Sequence, residues 1–319
     1  MRIAAIDVGT NTAQLLIADV TGKRIERLHV AERFVRLGEG VDATGRISKA
    51  ALRRLGDVLR DHRSVAEAHE VDQFVVCATS ASRDATNRDE VIRFVRDETG
   101  LPYEILSGEE EATWSFAAAT APFRDVHAGC LVVDVGGGST ELVAGTNPSG
   151  HTPNAERSIS ARVSLNIGCI RLTERCFTSQ PPAPNDISFA RNAIDSALEH
   201  ATLIASSRND GALTVIGTAG TASALALVDT GPDSTIDPLN GSPHTLTSER
   251  VRHWREDVLR RSPEEVLALH PKAMEHRATV FPVGVMILDA VLEQTGASVL
   301  HVSPYELRHG LILRHLASA

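Results

Sequence analysis

The chain reads as mixed α/β, in two domains with a cleft between them. Three observations predict this. A strand–turn–strand unit occurs twice, as "AIDVGTNTAQLLIA" (5–18) and "VVDVGGGSTELVAG" (132–145). Aligned on Asp7 and Asp134, the copies share Asp-Val-Gly, then a hydroxyl (Thr12, Ser139), then Gln14 or Glu141, then Leu15 or Leu142. Apolar runs of strand length also alternate with amphipathic helical patterns throughout. Finally, 319 residues, 42% hydrophobic and 23% charged, suffice for two ordinary domains and a sizeable core. Duplicated halves would face each other with two anion-binding turns across one cleft.

The elements follow in order. Residues 3–8 and 13–19 form a first hairpin, and 26–37 continue the sheet. Ser48 N-caps a helix to about Arg63, with Leu52, Leu55 and Leu59 on one face. "FVVCATSA" (74–81) is a buried strand. Asn87 caps an amphipathic helix that stops at Gly100; "PYEIL" is a short strand, and Ser107 to about Thr120 is helix. "APFRDVHAG" (121–129) leads into the second half, so the expected domains are 1–125 and 126–319. There, "CLVVDVGGGSTELVAG" opens the sheet, 146–158 is an exposed polar loop, and "ISARVSLNIG" is a strand. "CIRLTERCF" is helical, and Asp186 starts a helix through Ala205. "ALTVIGTAGTASALAL" is strand, glycine turn and helix. Helices near 247–261 and 276–295, a strand at 298–303 and a last helix, about 304–317, complete the chain. That last helix is assigned to the second domain, with packing against the first left open.

Composition excludes several classes. A net charge of −9 and a pI near 5.8 disfavour broad nucleic-acid binding. No apolar run approaches the roughly 18 residues of a membrane span. The first residues enter a strand directly, without the basic and apolar regions of a signal peptide. Cys77, Cys130, Cys169 and Cys176 form no C-x-x-C and lie on or beside apolar runs, as buried free thiols would. A cytoplasmic protein is the expectation.

The glycines of "DVGGGS" free the backbone for φ > 0 and for amides that converge on an anion. An ordinary hairpin turn explains the stretch equally well by itself. There is no Walker loop and no G-x-G-x-x-G opening a helix. Asp134 and Glu141 flank the turn, where carboxylates would repel phosphate unless a cation such as Mg²⁺ lay between them. A solvated turn acid is the plainer alternative. "TSASRDATN" (79–87) places Arg83 after a buried strand, as a phosphate fork or a surface arginine of a capping loop. In "LSGEEEATW" (106–114), Ser107 and Glu110 make a capping box and Glu109 suits the helix dipole. Glu111 is left over, as a surface charge or a general base. "IGTAGT" (216–221) is a third glycine turn, for anion binding or for tight strand–helix packing. The thirteen histidines show no metal-ligand spacing, and no serine sits in a nucleophile elbow.

Taken together, "DVGTNTAQLLIAD", "TSASRDATN", "ILSGEEEA", "VVDVGGGSTELV", "IGCIRLTE" and "IGTAGT" resemble the exopolyphosphatase/guanosine pentaphosphate phosphohydrolase family. This family belongs to the actin-like ATPase and sugar-kinase superfamily. The resemblance runs in order over nearly the whole chain. It implies two ribonuclease-H-like α/β domains flanking a central cleft, and Mg²⁺-dependent hydrolysis of a terminal phosphoanhydride, with Mn²⁺ as the alternative ion. By motif, Glu111 corresponds to the catalytic glutamate, and Glu141 to an acid positioning water or metal. Asp134 and Asp7 are placed at the metal. Gly136, Gly137, Gly138 and Ser139 hold phosphate in one domain, Gly9, Thr10 and Asn11 in the other, with Arg83 and Gly217 as further phosphate contacts. A homodimer is the family's expected state.

Two departures stand out. Longer members carry C-terminal helical domains absent here, which implies shorter polyphosphate. His309 occupies a position where an acid is usual. Inorganic polyphosphate is the expected substrate. Guanosine pentaphosphate (pppGpp) is the alternative, and 4% aromatic content leans away from a base-stacking pocket. An ATP-binding kinase and a non-catalytic polyphosphate or alarmone sensor are the remaining alternatives.

Overall fold

A computed structural model describes residues 1–22, 24–123, 129–146, 159–199, 213–234 and 244–318. The expected boundary at 125/126, most of the loop 146–158 and the end of the helix expected through Ala205 lie outside the described residues.

The elements run β1 (Arg2–Val8), β2 (Thr12–Thr21), β3 (Arg24–Phe34), α1 (Val41–Thr44), α2 (Lys49–Ala68), β4 (Gln73–Ala78), α3 (Ser80–Asp84), α4 (Arg88–Thr99), β5 (Glu104–Ile105) and α5 (Gly108–Thr120). There follow β6 (Gly129–Val135), β7 (Thr140–Thr146), β8 (Ile159–Leu165), α6 (Cys169–Cys176), α7 (Pro184–Glu199), β9 (Thr214–Thr218) and α8 (Ala219–Thr230). Last come β10 (His244–Thr247), α9 (Ser248–Val258), α10 (Pro263–Leu269), α11 (Pro271–Met274), α12 (Phe281–Thr295), β11 (Val299–Val302) and α13 (Leu307–Ser318). Two compact units result: 1–114 with 307–319, and 115–306. None of the described helices is long and apolar enough to cross a membrane.

In the first unit the strand order is β3-β2-β1-β4-β5. β1 pairs antiparallel with β2 and parallel with β4. Strand alternation sorts the side chains onto two faces. Ala4, Ile6, Val8, Leu15 and Ile17 pack with Leu52, Leu55 and Leu59 of α2 and Val91 and Val95 of α4. Ile3, Ala5, Leu16 and Ala18 pack with Leu307, Leu311 and Ile312 of α13. The last helix is therefore part of the first unit. Arg314 fixes it there, donating from Nη1 to Glu104 Oε2 at 2.8 Å.

The second unit repeats this plan. Its order is β10-β11-β9-β6-β7-β8, with β7 antiparallel to β6 and β9 parallel to it. The duplication legible in two short segments thus extends to the strand order. Leu131, Val133, Val135, Leu142 and Val215 face a core filled by α8 and α12. β10, an added edge strand antiparallel to β11, has no counterpart in the sequence reading.

Three local expectations change. β4 ends at Ala78 and residues from Ser80 are helical, so the strand expected over 74–81 is shorter. Asn87 precedes α4 but does not cap it with its side chain. Its Oδ1 accepts from Ile47 N at 3.0 Å and its Nδ2 donates to Ile47 O at 3.1 Å. The helix expected from 276 begins at Phe281, because His276 has φ 58° and Pro282 suits only a first turn. Cys77, Cys130 and Cys176 are buried free thiols as expected, whereas Cys169 is half-buried.

Candidate active site

The two turns are built alike. Gly9 N donates to Thr12 O at 2.9 Å, and Gly136 N to Ser139 O at 3.0 Å. In each, the carbonyls are tied down from behind. Gly136 O accepts from Cys169 N at 2.9 Å, and Gly137 O from Ile170 N at 2.9 Å and Arg171 N at 3.0 Å. These donors are the first amides of α6, which have no partner within their own helix. Across a trans peptide the carbonyl and the next N–H point oppositely. The N–H groups of Gly137 and Gly138 therefore point away from α6, and among the described residues they donate to no backbone carbonyl. In the first unit, Thr10 O accepts from Gly38 N at 2.9 Å, and Asn11 O from Val35 N and Arg36 N, each at 2.8 Å. Asn11 N–H is turned away from that segment by the same geometry.

Each turn leans on a glycine that sequence reasoning left out. A Cβ on Gly168 would stand 2.4 Å from Gly137 O, and one on Gly38 would stand 2.2 Å from Thr10 Cγ2. Both follow the third strand of their sheet, so the duplication itself was the available signal.

Beside the second turn a polar row crosses four strands. Register places Asp134 opposite Glu141 and Thr218, and Glu141 opposite Ser164. Directly opposed residues share a face. Asp134 and Glu141 are 7% and 1% exposed, so two carboxylates lie side by side with little water. Asp134 Oδ2 accepts from Ser115 Oγ at 3.1 Å, and Glu141 Oε1 from Ser164 Oγ at 2.7 Å. Adjacent buried carboxylates repel unless a proton or a cation lies with them. Mg²⁺ fits that donor set, since it takes one or two carboxylates and fills its remaining positions with water and phosphate oxygens. No group of three His, Cys, Asp or Glu side chains among the described residues forms a full metal cage. The corresponding row of the first unit is Cys77, Asp7, Gln14 and Glu32, so Asp7 has an amide and a thiol beside it instead of a second carboxylate.

Glu111 lies in the first turns of α5, after the expected capping box. Ser107 N donates to Glu110 Oε2 at 3.0 Å and Glu110 N to Ser107 Oγ at 3.2 Å. Glu110 is exposed and Glu111 is buried. Arg83 Nη1 donates to Glu111 Oε2 at 2.8 Å and to Leu106 O at 3.1 Å. Burial raises the Glu111 carboxyl above its ordinary value, and the nearby Arg83 guanidinium and Thr79 hydroxyl only partly offset this. Thr79, missed in the sequence, ends the same strand–helix junction that supplies Arg83.

Gly217 is placed within β9, between Val133 and Val302 in register, and its carbonyl accepts from Ser303 N at 2.8 Å. A Cβ there would lie 2.9 Å from Ala222 Cβ and 3.2 Å from Leu300 Cδ1. Its place is in strand–helix packing, the second of the two roles its motif allowed. β9 passes directly into α8 at Thr218, where Ala219 holds φ 62° and the Thr221 hydroxyl, in the first turn of α8, donates to Val135 O at 3.1 Å. His309 is buried in α13, at 6% exposure.

Comparison with known proteins places nearly the whole chain in a family. The model of the Ppx/GppA phosphatase family matches residues 16–319. Exopolyphosphatase 2 of Mycobacterium tuberculosis (strain CDC 1551 / Oshkosh) is 36% identical over 329 residues, covering 98% of each chain. A solved exopolyphosphatase from Cytophaga hutchinsonii ATCC 33406 matches with a TM-score of 0.87 at 27% identity, covering 100% of this chain and 98% of that one. The Aquifex aeolicus Ppx/GppA family member matches with a TM-score of 0.77 at 26% identity, covering 100% and 98%. The fold is the two-domain, actin-like ATPase fold of those structures. With the duplicated turns, the carboxylate pair and a family match over nearly its whole length, the chain belongs to the Ppx/GppA phosphatase family.

Proposed function

We propose that the chain is an exopolyphosphatase, a Mg²⁺-dependent enzyme that releases phosphate from the end of inorganic polyphosphate. Family membership makes it a phosphoanhydride hydrolase. The choice of polyphosphate is supported by the relatives named exopolyphosphatase. The observation that carries the reading is the Asp134–Glu141 pair beside a turn whose carbonyls are tied to α6.

In the second unit, the amides of Gly137 and Gly138, with Gly136 and Ser139 shaping the turn, bind phosphate oxygens. Asp134 and Glu141 would hold Mg²⁺ in the second unit, and Asp7 is the acid proposed for metal in the first. When bound, Mg²⁺ supplies neutralisation of charge on the phosphoryl oxygens. In the first unit, Gly9, Thr10 and Asn11 form the corresponding phosphate turn. Glu111 takes the proton of the attacking water, and its burial brings its proton affinity closer to the working range of a base. Arg83 holds that carboxylate through Nη1 and offers its remaining N–H groups to phosphate.

The test is phosphate release in Mg²⁺ from short polyphosphate, long polyphosphate, guanosine pentaphosphate and ATP. The proposal expects polyphosphate to be turned over fastest. Faster release from guanosine pentaphosphate would reassign the substrate, and release from none would contradict an enzymatic role.

A further inference from the structure

The polar row of the second sheet does not end at the carboxylates. β8 presents Arg162 and Ser164 on one face, while Ala161, Val163 and Leu165 pack on the core. Ser164 is the register partner of Glu141, and its hydroxyl donates to Glu141 Oε1 at 2.7 Å. That length is ordinary for a well-formed hydroxyl hydrogen bond. On the other side of the pair, the Ser115 hydroxyl donates to Asp134 Oδ2 at 3.1 Å. Each of two adjacent buried carboxylates thus has one oxygen held by a serine from a different element. Without such a hold, mutual repulsion would turn the two side chains apart.

We propose that Ser164 is a positioning residue for phosphoanhydride hydrolysis: it fixes the orientation of Glu141, as Ser115 fixes that of Asp134. The inference rests on the reading above, in which Glu141 serves metal and water. Ser164 touches no reacting atom; it acts through Glu141. Outer partners of this kind typically contribute about 10–100-fold in metal affinity or activity. Ser160 supplies the internal control. It lies on the same strand, at the register irregularity beside Ala144, and its hydroxyl donates to Ala144 O at 3.1 Å.

The experiment uses the full chain as wild type, Glu141→Gln, Ser164→Ala, Ser164→Cys, Ser164→Thr and Ser160→Ala. Three readouts are taken: kcat and KM for tripolyphosphate in Mg²⁺, Mn²⁺ affinity from the electron paramagnetic resonance signal of free Mn²⁺, and the thermal midpoint. Ser164→Ala should lower kcat by about 10–100-fold, leave KM nearly unchanged and weaken Mn²⁺ binding. Ser164→Thr, which keeps the hydroxyl, should recover most of both losses, and Ser160→Ala should match wild type. Ser164→Cys keeps the size but donates weakly, so it gives the same answer if Ser164→Ala does not fold. The inference is overturned if Ser164→Ala or Ser164→Cys keeps wild-type kcat and Mn²⁺ affinity. It is also overturned if Ser164→Thr is no better than Ser164→Ala, or if Ser160→Ala loses as much. A wild type that releases no phosphate, or a Glu141→Gln that stays fully active, overturns the functional reading itself and this inference with it. A wild type that is active and a Glu141→Gln that is not, with Ser164→Ala unaffected, overturns the inference alone.

Discussion

Arg83 Nη1 donates to Glu111 Oε2 at 2.8 Å, and the carboxylate that receives it is 7% exposed. The pair joins α3, the short helix that follows β4, to the first turns of α5. Burial outweighs the guanidinium, so the carboxyl sits above its ordinary value of 4.5. A base in that condition is protonated more readily than a surface glutamate, and its carboxylic acid form releases the proton less readily.

Stability should carry the mark of this carboxyl. The folded-state value is raised above the unfolded one, so its contribution is fully present below about 4.5 and is lost as pH rises through the folded value. Glu111→Gln removes that titration. The difference in thermal midpoint, wild type minus Glu111→Gln, should fall across that window and then level off. A difference that rises with pH would mean that the Arg83 pairing, not burial, dominates.

The rate should show the complementary sign. Glu111 must be ionised to accept a proton, so kcat should climb with pH along an acid limb placed above the ordinary carboxylate range. Arg83→Ala leaves burial opposed only by the Thr79 hydroxyl and should push that limb higher. Its kcat deficit should be largest in acid and shrink toward alkaline pH. Arg83→Lys keeps the charge without the planar fork and should shift the limb less. A pH-independent deficit would confine Arg83 to phosphate contact.

Gly168→Ala should collapse the phosphate turn of the second unit. The new Cβ meets backbone atoms of Gly137, which cannot swing aside as a side-chain end can. We expect a loss of about 1–3 kcal/mol in stability, measured by urea unfolding, together with loss of phosphate release. Gly129→Ala, whose nearest neighbour would be Leu213 Cδ1 at 3.9 Å, should be nearly neutral in both assays.

Gly217→Ala should separate packing from binding. Its Cβ would press on Ala222 and Leu300, so stability should fall by about 1–3 kcal/mol. In the fraction that remains folded, KM for polyphosphate should be unchanged. A rise in KM without loss of stability would return Gly217 to the phosphate site.

Much of this architecture was legible in the chain itself. The Asp7 and Asp134 segments announce two equivalent hairpins because a glycine turn between apolar strands has a strong local signature. Strand order in both sheets follows the same duplication. The capping box at Ser107 and Glu110 was legible because both partners are local. Asn87 misled, since its side chain is used by Ile47, 40 residues away in sequence. Ser115, Ser164, Gly38 and Gly168 were silent for the same reason. Their work depends on cross-strand register or on contact with a distant turn, and neither leaves a trace at short spacing. Arg83 and Glu111 were each visible as candidates, but their contact with each other was not.

The most direct test of the central claim is phosphate release from polyphosphate in Mg²⁺ by wild type and by Glu111→Gln, with folding of both checked by thermal unfolding. The account predicts sustained release by wild type and a fall of roughly 10²–10⁴-fold in kcat for a well-folded Glu111→Gln. A folded Glu111→Gln that matches wild type would contradict it.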